Sequence, residues 1–235
     1  MEYSNLEAGI FIERKNRFVA EVELNGETVG VHVPNTGRCK EIFVPGAKVY
    51  VQRSSNPDRK YAYTLCAVYK GKNLIHIDSA GANRLVEEAL LRGAVKGLED
   101  VTEVEREKTY GASRFDFRFR KGDRICYMEV KGVTLEQDGT AMFPDAPTER
   151  GARHLEELMR AKAEGYGAYV TFVIQMKGVK RFTPNVSRDP VFARNLLRAA
   201  ESGVTVMALD TVVTPEKIVL DRPVPVELPQ KEDLI

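Results

Sequence analysis

Three residues have the types and spacing for metal-assisted phosphate chemistry: Asp116, and Glu129 and Lys131 of the run Met128-Glu129-Val130-Lys131. Two neighbouring carboxylates are the oxygen donors that a hard cation such as Mg²⁺ takes, with water and substrate phosphate completing its shell. A lysine two residues beyond one of them on a strand lies on the same face. From there its ammonium can reach a water or a phosphate oxygen. Such a set suits phosphodiester hydrolysis: the ion activates water and offsets transition-state charge, and the lysine orients the nucleophile.

A hairpin is needed to bring these residues together. Arg114-Phe115-Asp116-Phe117-Arg118-Phe119 and Ile125-Cys126-Tyr127-Met128-Glu129-Val130-Lys131 both alternate strictly. Between them Gly122-Asp123 suits a two-residue turn, with glycine supplying positive φ at the first central position. This turn predicts Phe119 opposite Cys126, Phe117 opposite Met128 and Phe115 opposite Val130, an apolar face for the core. The other face then has Arg118 opposite Tyr127, Asp116 opposite Glu129 and Arg114 opposite Lys131. A one-residue slip would mix the faces, so the hydrophobic pattern fixes the register. Opposed Cβ atoms lie roughly 4.5–5.5 Å apart, where two carboxylates repel unless a cation lies between them. From spacing alone an alternative stands open: a solvated face on which Arg114, Arg118 and Lys131 neutralise the two acids.

The flanking sequence falls into two textures. Residues 9–77 read as short strands, at 18–24, 28–33, 48–53, 61–69 and 74–77, with Asn25-Gly26 as a turn. About five such strands suggest a small barrel of the OB type. From residue 81 the order is α-β-β-β-α-β-α-β. Helices are expected at 82–91 (Asn83 capping, Gly93 stopping), 148–164 (Thr148 capping) and 190–201. Strands are expected at 104–108, 114–119, 125–131, 168–175 and 204–209. This predicts an α+β / α/β chain: an OB-like domain over 1–80, then a mixed sheet flanked by helices over 81–235. Residues 132–147 read as weakly structured, and the chain from Pro223 as an extended arm.

Composition narrows the function classes. With 35 Lys+Arg against 34 Asp+Glu the net charge is +1, so any nucleic-acid surface must be a local basic patch. Three dispersed cysteines, Cys39, Cys66 and Cys126, exclude a disulfide scaffold and a zinc module of ordinary spacing. No apolar run approaches the length of a membrane span, and the N-terminus lacks a signal pattern, so a cytoplasmic protein without membrane partners is expected. His32 and His76 have no nucleophile partner, which argues against a Ser or Cys hydrolase triad. Gly165-Tyr166-Gly167 ends a helix and is no dinucleotide loop.

Asp116 followed by Glu129-Val130-Lys131, after a helix containing Glu88, resembles the core of the PD-(D/E)XK nuclease superfamily. The chain more specifically resembles the sugar fermentation stimulation protein A (SfsA) family. The resemblance runs through Asn16-Arg17-Phe18, the stretch from His32 to Arg38, Arg114-Phe115-Asp116-Phe117, the stretch from Met128 to Leu135, and that from Phe143 to Gly151. It implies an OB-like N-terminal domain, a nuclease-like C-terminal domain and non-specific DNA binding, with a regulatory role in sugar (maltose) use. By match to the superfamily pattern, Asp116 and Glu129 would hold Mg²⁺ or Mn²⁺, Lys131 would be the catalytic lysine, and Glu88 the helix carboxylate. Phe115 stands where the superfamily pattern has proline. No small-molecule cofactor is implied, and an oligomer is left open. Whether the nuclease-like core turns over or is inert also stays open.

Further residues are candidates for contact with DNA, or RNA. Arg14, Lys15 and Arg17 flank Phe11 and Phe18, a mix of basic and aromatic groups that suits single strands. Asn35 and Arg38 belong to a tight polar turn. Arg150, Arg153 and His154 share one face at the start of a helix, where a phosphate can bind. Arg114 adjoins the acidic pair. Glu87 is the natural confusion for Glu88. Pro144-Asp145 is read as a turn before a helix, since no Glu-x-Lys follows it at a suitable distance.

Overall fold

The computed structural model describes residues 1–234. Its first half is built by period-2 burial. In β2 (Val19–Leu24), Ala20, Val22 and Leu24 are buried while Glu21 and Glu23 face outward. β1 (Leu6–Asn16) pairs with β2 on one side and with β4 (Lys48–Arg53) on the other. β3 (Glu27–His32) follows β2, and a short parallel pairing to β5 (Tyr63–Lys70) closes the ring. The result is a five-stranded, OB-like closed barrel with β6 (Asn73–His76) added at β5. Closure leaves the barrel strands few free edges.

The second half is a six-stranded mixed sheet in the order β15-β14-β12-β9-β8-β7. In chain order these are β7 (Val101–Tyr110), β8 (Ser113–Lys121), β9 (Arg124–Val133), β12 (Gly167–Ile174), β14 (Thr205–Val213) and β15 (Ile218–Pro223). The central pairs β9–β12 and β12–β14 are parallel and the outer pairs antiparallel. Helix α1 (Gly81–Leu91) buries Leu85, Val86 and Leu90 with Phe117, Phe119 and Met128 of the sheet. Helices α2 (Glu149–Ala163) and α3 (Pro190–Glu201) lie on the core that holds Phe115, Tyr127 and Phe172. Both have side-chain N-caps, Thr148 accepting from the Gly151 amide and Asp189 from the Phe192 amide. Among the described residues no helix is long and apolar enough to cross a membrane.

The β8–β9 hairpin has the expected register, with Lys121 opposite Arg124, Phe119 opposite Cys126, Arg118 opposite Tyr127 and Phe117 opposite Met128. Gly122 has φ +57° at the turn. The ladder ends at Phe117, and here the expectation fails. Phe115 does not join Phe117 on the α1 face. Its ring lies 5.6 Å from that of Tyr127 and 6.2 Å from that of His154, on the α2 side. The strands separate at their site end, so strict alternation no longer predicts facing.

Three other expectations need correction. Residues 132–147 are not weakly structured. They form the hairpin β10 (Leu135–Gln137) and β11 (Thr140–Phe143), and β11 pairs in parallel with β13 (Arg181–Pro184). These strands are too short to show a period in sequence. The chain beyond Pro223 is docked: Phe182 N donates to Pro225 O, and Glu227 N to Phe182 O. Asn83 is not a cap. Ala80 holds that position without a side-chain bond, and Asn83 lies inside the helix.

Candidate metal and phosphate site

A cleft of about 520 Å³ lies between the barrel and the mixed sheet. The barrel contributes Arg17, Asn35 and Thr36. The sheet domain contributes Asn83, Asp116, Glu129, Lys131 and the start of α2, including Arg150. Asp145 joins the two walls: its Oδ2 accepts the Cys39 amide at 2.7 Å. It is therefore more than a turn residue before α2. A second clasp runs from the His76 amide to Gln175 O at 2.9 Å.

Asp116 is held at both oxygens. Oδ1 accepts from Asn83 Nδ2 and Oδ2 from the Val130 amide, each at 2.7 Å. Glu129 is 4% exposed. Its Oε1 lies 2.5 Å from both Lys131 Nζ and His154 Nδ1. Its Oε2 is buried with no hydrogen-bond partner. Burial, then the charge of Glu129, raises the Asp116 pKa above the usual carboxylate value. For Glu129 burial also works against the charged form, but the His154 bond and Lys131 outweigh it and the pKa falls. Relative to an ordinary carboxylate, ionisation is thus favoured at Glu129 and disfavoured at Asp116.

The donor chemistry of the two carboxylates is compatible with a divalent ion. An unpartnered, buried carboxylate oxygen is costly. A cation shared with Asp116 would satisfy it, and two carboxylates are the hard oxygen donors that Mg²⁺, Mn²⁺ or Ca²⁺ prefers. Among the described residues, no group of three or more His, Cys, Asp or Glu side chains is placed to hold a metal ion, so water and phosphate oxygens would have to complete the shell of an ion held by these two acids. The neutralised-face alternative does not describe this surface. Arg118 is 2.5 Å from Glu105 and Arg114 is 3.4 Å from Glu107, so of the three cations only Lys131 turns to Glu129.

Several sequence-derived assignments change. Glu88 is not in the cleft. Its Oε2 accepts from the Met1 amino group at 2.9 Å. At about 100° per residue, Glu88 points about 140° around α1 from Asn83, whose amide does reach Asp116. Glu87 pairs with Arg106 at 3.2 Å. Asn83 is thus the helix residue that reaches the candidate site, and sequence reasoning missed it. Its signal was its position beside the buried stripe, masked by the capping preference of Asn.

Arg14 offers no free guanidinium to a polynucleotide. It donates to the carbonyls of Asn35, Gly37, Arg38 and Arg17 at 2.6–2.9 Å and stacks on Phe43. Asn35 is buried and shapes the same turn, donating to Ile77 O and accepting the Gly37 amide, though it also lines the cleft. His154 is 3% exposed and bound to Glu129, so it is no surface contact. Arg114 is exposed and outside the cleft lining. Arg17 and Arg150 are exposed and line the cleft. Arg38 is exposed on the turn that Arg14 holds.

Comparison with known proteins agrees with this architecture. Residues 12–77 match the family model described as SfsA N-terminal OB domain, and residues 80–217 the Sugar fermentation stimulation protein RE domain. A Sugar fermentation stimulation protein homolog of Clostridium botulinum (strain Langeland) is 50% identical over 219 residues, 93% of this chain and 95% of that protein. One from Thermoanaerobacter sp. (strain X514) is 54% identical over 201 residues, 85% of this chain and 87% of its own. The structure of Pyrococcus furiosus SfsA in complex with Ca²⁺ aligns with a TM-score of 0.88 at 30% identity, covering 97% of this chain and 98% of that one. With matches to both halves and half of all positions shared with relatives of nearly full coverage, this chain belongs to the sugar fermentation stimulation protein (SfsA) family.

Proposed function

We propose that the chain is a divalent-metal-dependent phosphodiesterase acting on nucleic acid, DNA in the first instance, with its site at Asp116, Glu129 and Lys131. The observation that carries this is the unpartnered, buried Oε2 of Glu129 beside Asp116. It leaves an acceptor without a donor in the cleft, with Lys131 on the other oxygen of the same carboxylate. The relative solved with Ca²⁺ supports divalent binding. A bound Mg²⁺ or Mn²⁺ would supply activated water and charge compensation.

The protein's own residues do the rest. Asp116 and Glu129 hold the ion, and Asn83 and the Val130 amide fix the Asp116 carboxylate. Lys131 leaves Glu129 for a phosphate oxygen or the nucleophile when substrate arrives. Arg17 and Arg150 grip the backbone from opposite walls of the cleft. The barrel and sheet domains together form the channel, which excludes neither single nor double strands by chemistry.

The test is incubation with labelled DNA and RNA, single- and double-stranded, across Mg²⁺, Mn²⁺ and EDTA. Cleavage should require the ion and be lost in Lys131→Ala. Absence of cleavage with any ion overturns the proposal. A second reading, a non-enzymatic DNA-binding regulator, is favoured by the engagement of Glu88 with Met1, which leaves Asp116 and Glu129 without a carboxylate from the helix. It requires equal DNA binding in EDTA and Mg²⁺, and no cleavage.

A further inference from the structure

Glu129 is asymmetrically held. Oε1 receives both His154 and Lys131, while Oε2 has nothing. The two donors differ in kind. Lys131 is an ammonium on a flexible four-carbon stem, free to swing to a phosphate. His154 is a buried ring on the inward side of α2, edge-on to Phe115. Its Nε2 faces Arg150 Nε at 3.4 Å. The ring nitrogen beside the carboxylate is the donor, so Nδ1–H donates to Glu129 Oε1.

We propose that His154 is a positioning residue that anchors Glu129 through Oε1, so that Oε2 alone is presented to the cation. The terminal torsion of a glutamate is broad and nearly two-fold, so without a fixed donor either oxygen, or both, can face the ion. A rigid neighbour that donates to one oxygen removes that freedom, as partners behind metal ligands commonly do. Lys131 cannot keep this role once substrate draws it away; His154 can. The inference rests on the metal site proposed above, and it assigns to His154 a task distinct from phosphate contact.

The test is Mn²⁺ affinity by calorimetry, without substrate and alongside thermal denaturation, on a full-chain parent that carries Lys131→Ala, so that His154 is the one remaining donor to Oε1. His154→Leu should weaken Mn²⁺ binding about 10–100-fold. His154→Asn, which places an amide N–H where Nδ1 was, should restore most of that loss. Should His154→Leu fail to fold, His154→Gln, whose amide reaches the Nε2 position instead, serves as the variant without the donor. Equal Mn²⁺ binding by the parent and the donor-less variant, with Asp116→Ala weakened, overturns the role of His154 alone. So does His154→Asn binding as poorly as the donor-less variant. No saturable binding by the parent overturns the metal site itself and this inference with it.

Discussion

Asp116 accepts a hydrogen bond from the amide of Val130, the residue between Glu129 and Lys131. This 2.7 Å bond ties the acid of β8 to the middle of the Glu-Val-Lys triplet just past the last regular pair of the hairpin. The ladder stops where the site begins, and a side chain takes over from the backbone in holding the strands together.

Removing either end of this arrangement should abolish the proposed reaction. Lys131→Ala and Asp116→Ala are each expected to lower Mg²⁺-dependent cleavage by about 10²-fold or more, the scale of losing one charge-stabilising group. Circular dichroism should remain that of the parent. Initial rates on labelled oligonucleotides give the readout, and a variant cleaving at the parental rate removes its residue from the site.

Glu88 and Asn83 should behave oppositely. Glu88→Gln is expected to leave cleavage unchanged and to cost at most about 1 kcal/mol, because its partner is the Met1 amine and the pair is partly solvated. Asn83→Ala removes a donor from Asp116 and should slow cleavage while leaving bulk nucleic-acid affinity intact. Paired kcat and KM measurements separate the two.

The arginines divide in the same way. Arg14→Ala takes a guanidinium from four carbonyls of the 14–38 region and should cost about 3 kcal/mol by urea denaturation. Arg17→Ala and Arg150→Ala should leave stability nearly unchanged. Each should instead flatten the slope of log affinity against log salt for duplex DNA by about 0.9, the value of one phosphate contact. Unchanged slopes would place the polynucleotide elsewhere.

His76 makes stability sensitive to acid. Burial, with Arg84 and the Met1 amine nearby, lowers its pKa to about 3, while the unfolded chain titrates near 6.5. The unfolded state therefore binds a proton that the folded state refuses. This contribution is fully present above pH 6.5 and shrinks as pH falls towards 3. Well below 6.5 the loss is about 1.4 kcal/mol per pH unit. Urea melts at pH 7.5, 6 and 5 should show His76→Gln losing less stability with acid than the parent; parallel losses would refute the assignment.

Much of the fold was legible because burial imposes simple periods. The alternation of Ala20, Val22 and Leu24 marks a barrel strand, and Phe117 and Phe119 against Met128 and Cys126 set the hairpin register. Helix α3 runs over 190–201 as its Pro start and apolar spacing predict. Strands β10, β11 and β13, of three or four residues, carry too few positions to show a period, and only their mutual pairing creates them.

The sequence by itself singled out the pair of acids and the lysine as candidates, since residue type and a two-residue step along a strand are local properties. It could not determine which neighbours serve them. That His154 faces inward to Glu129, that Asn83 rather than Glu88 reaches Asp116, and that Arg14 is consumed by its own barrel turn were decided by tertiary structure. The rotation of α1 and α2 against the sheet sets those contacts. That rotation is fixed by packing among segments far apart in the chain, which no local spacing encodes.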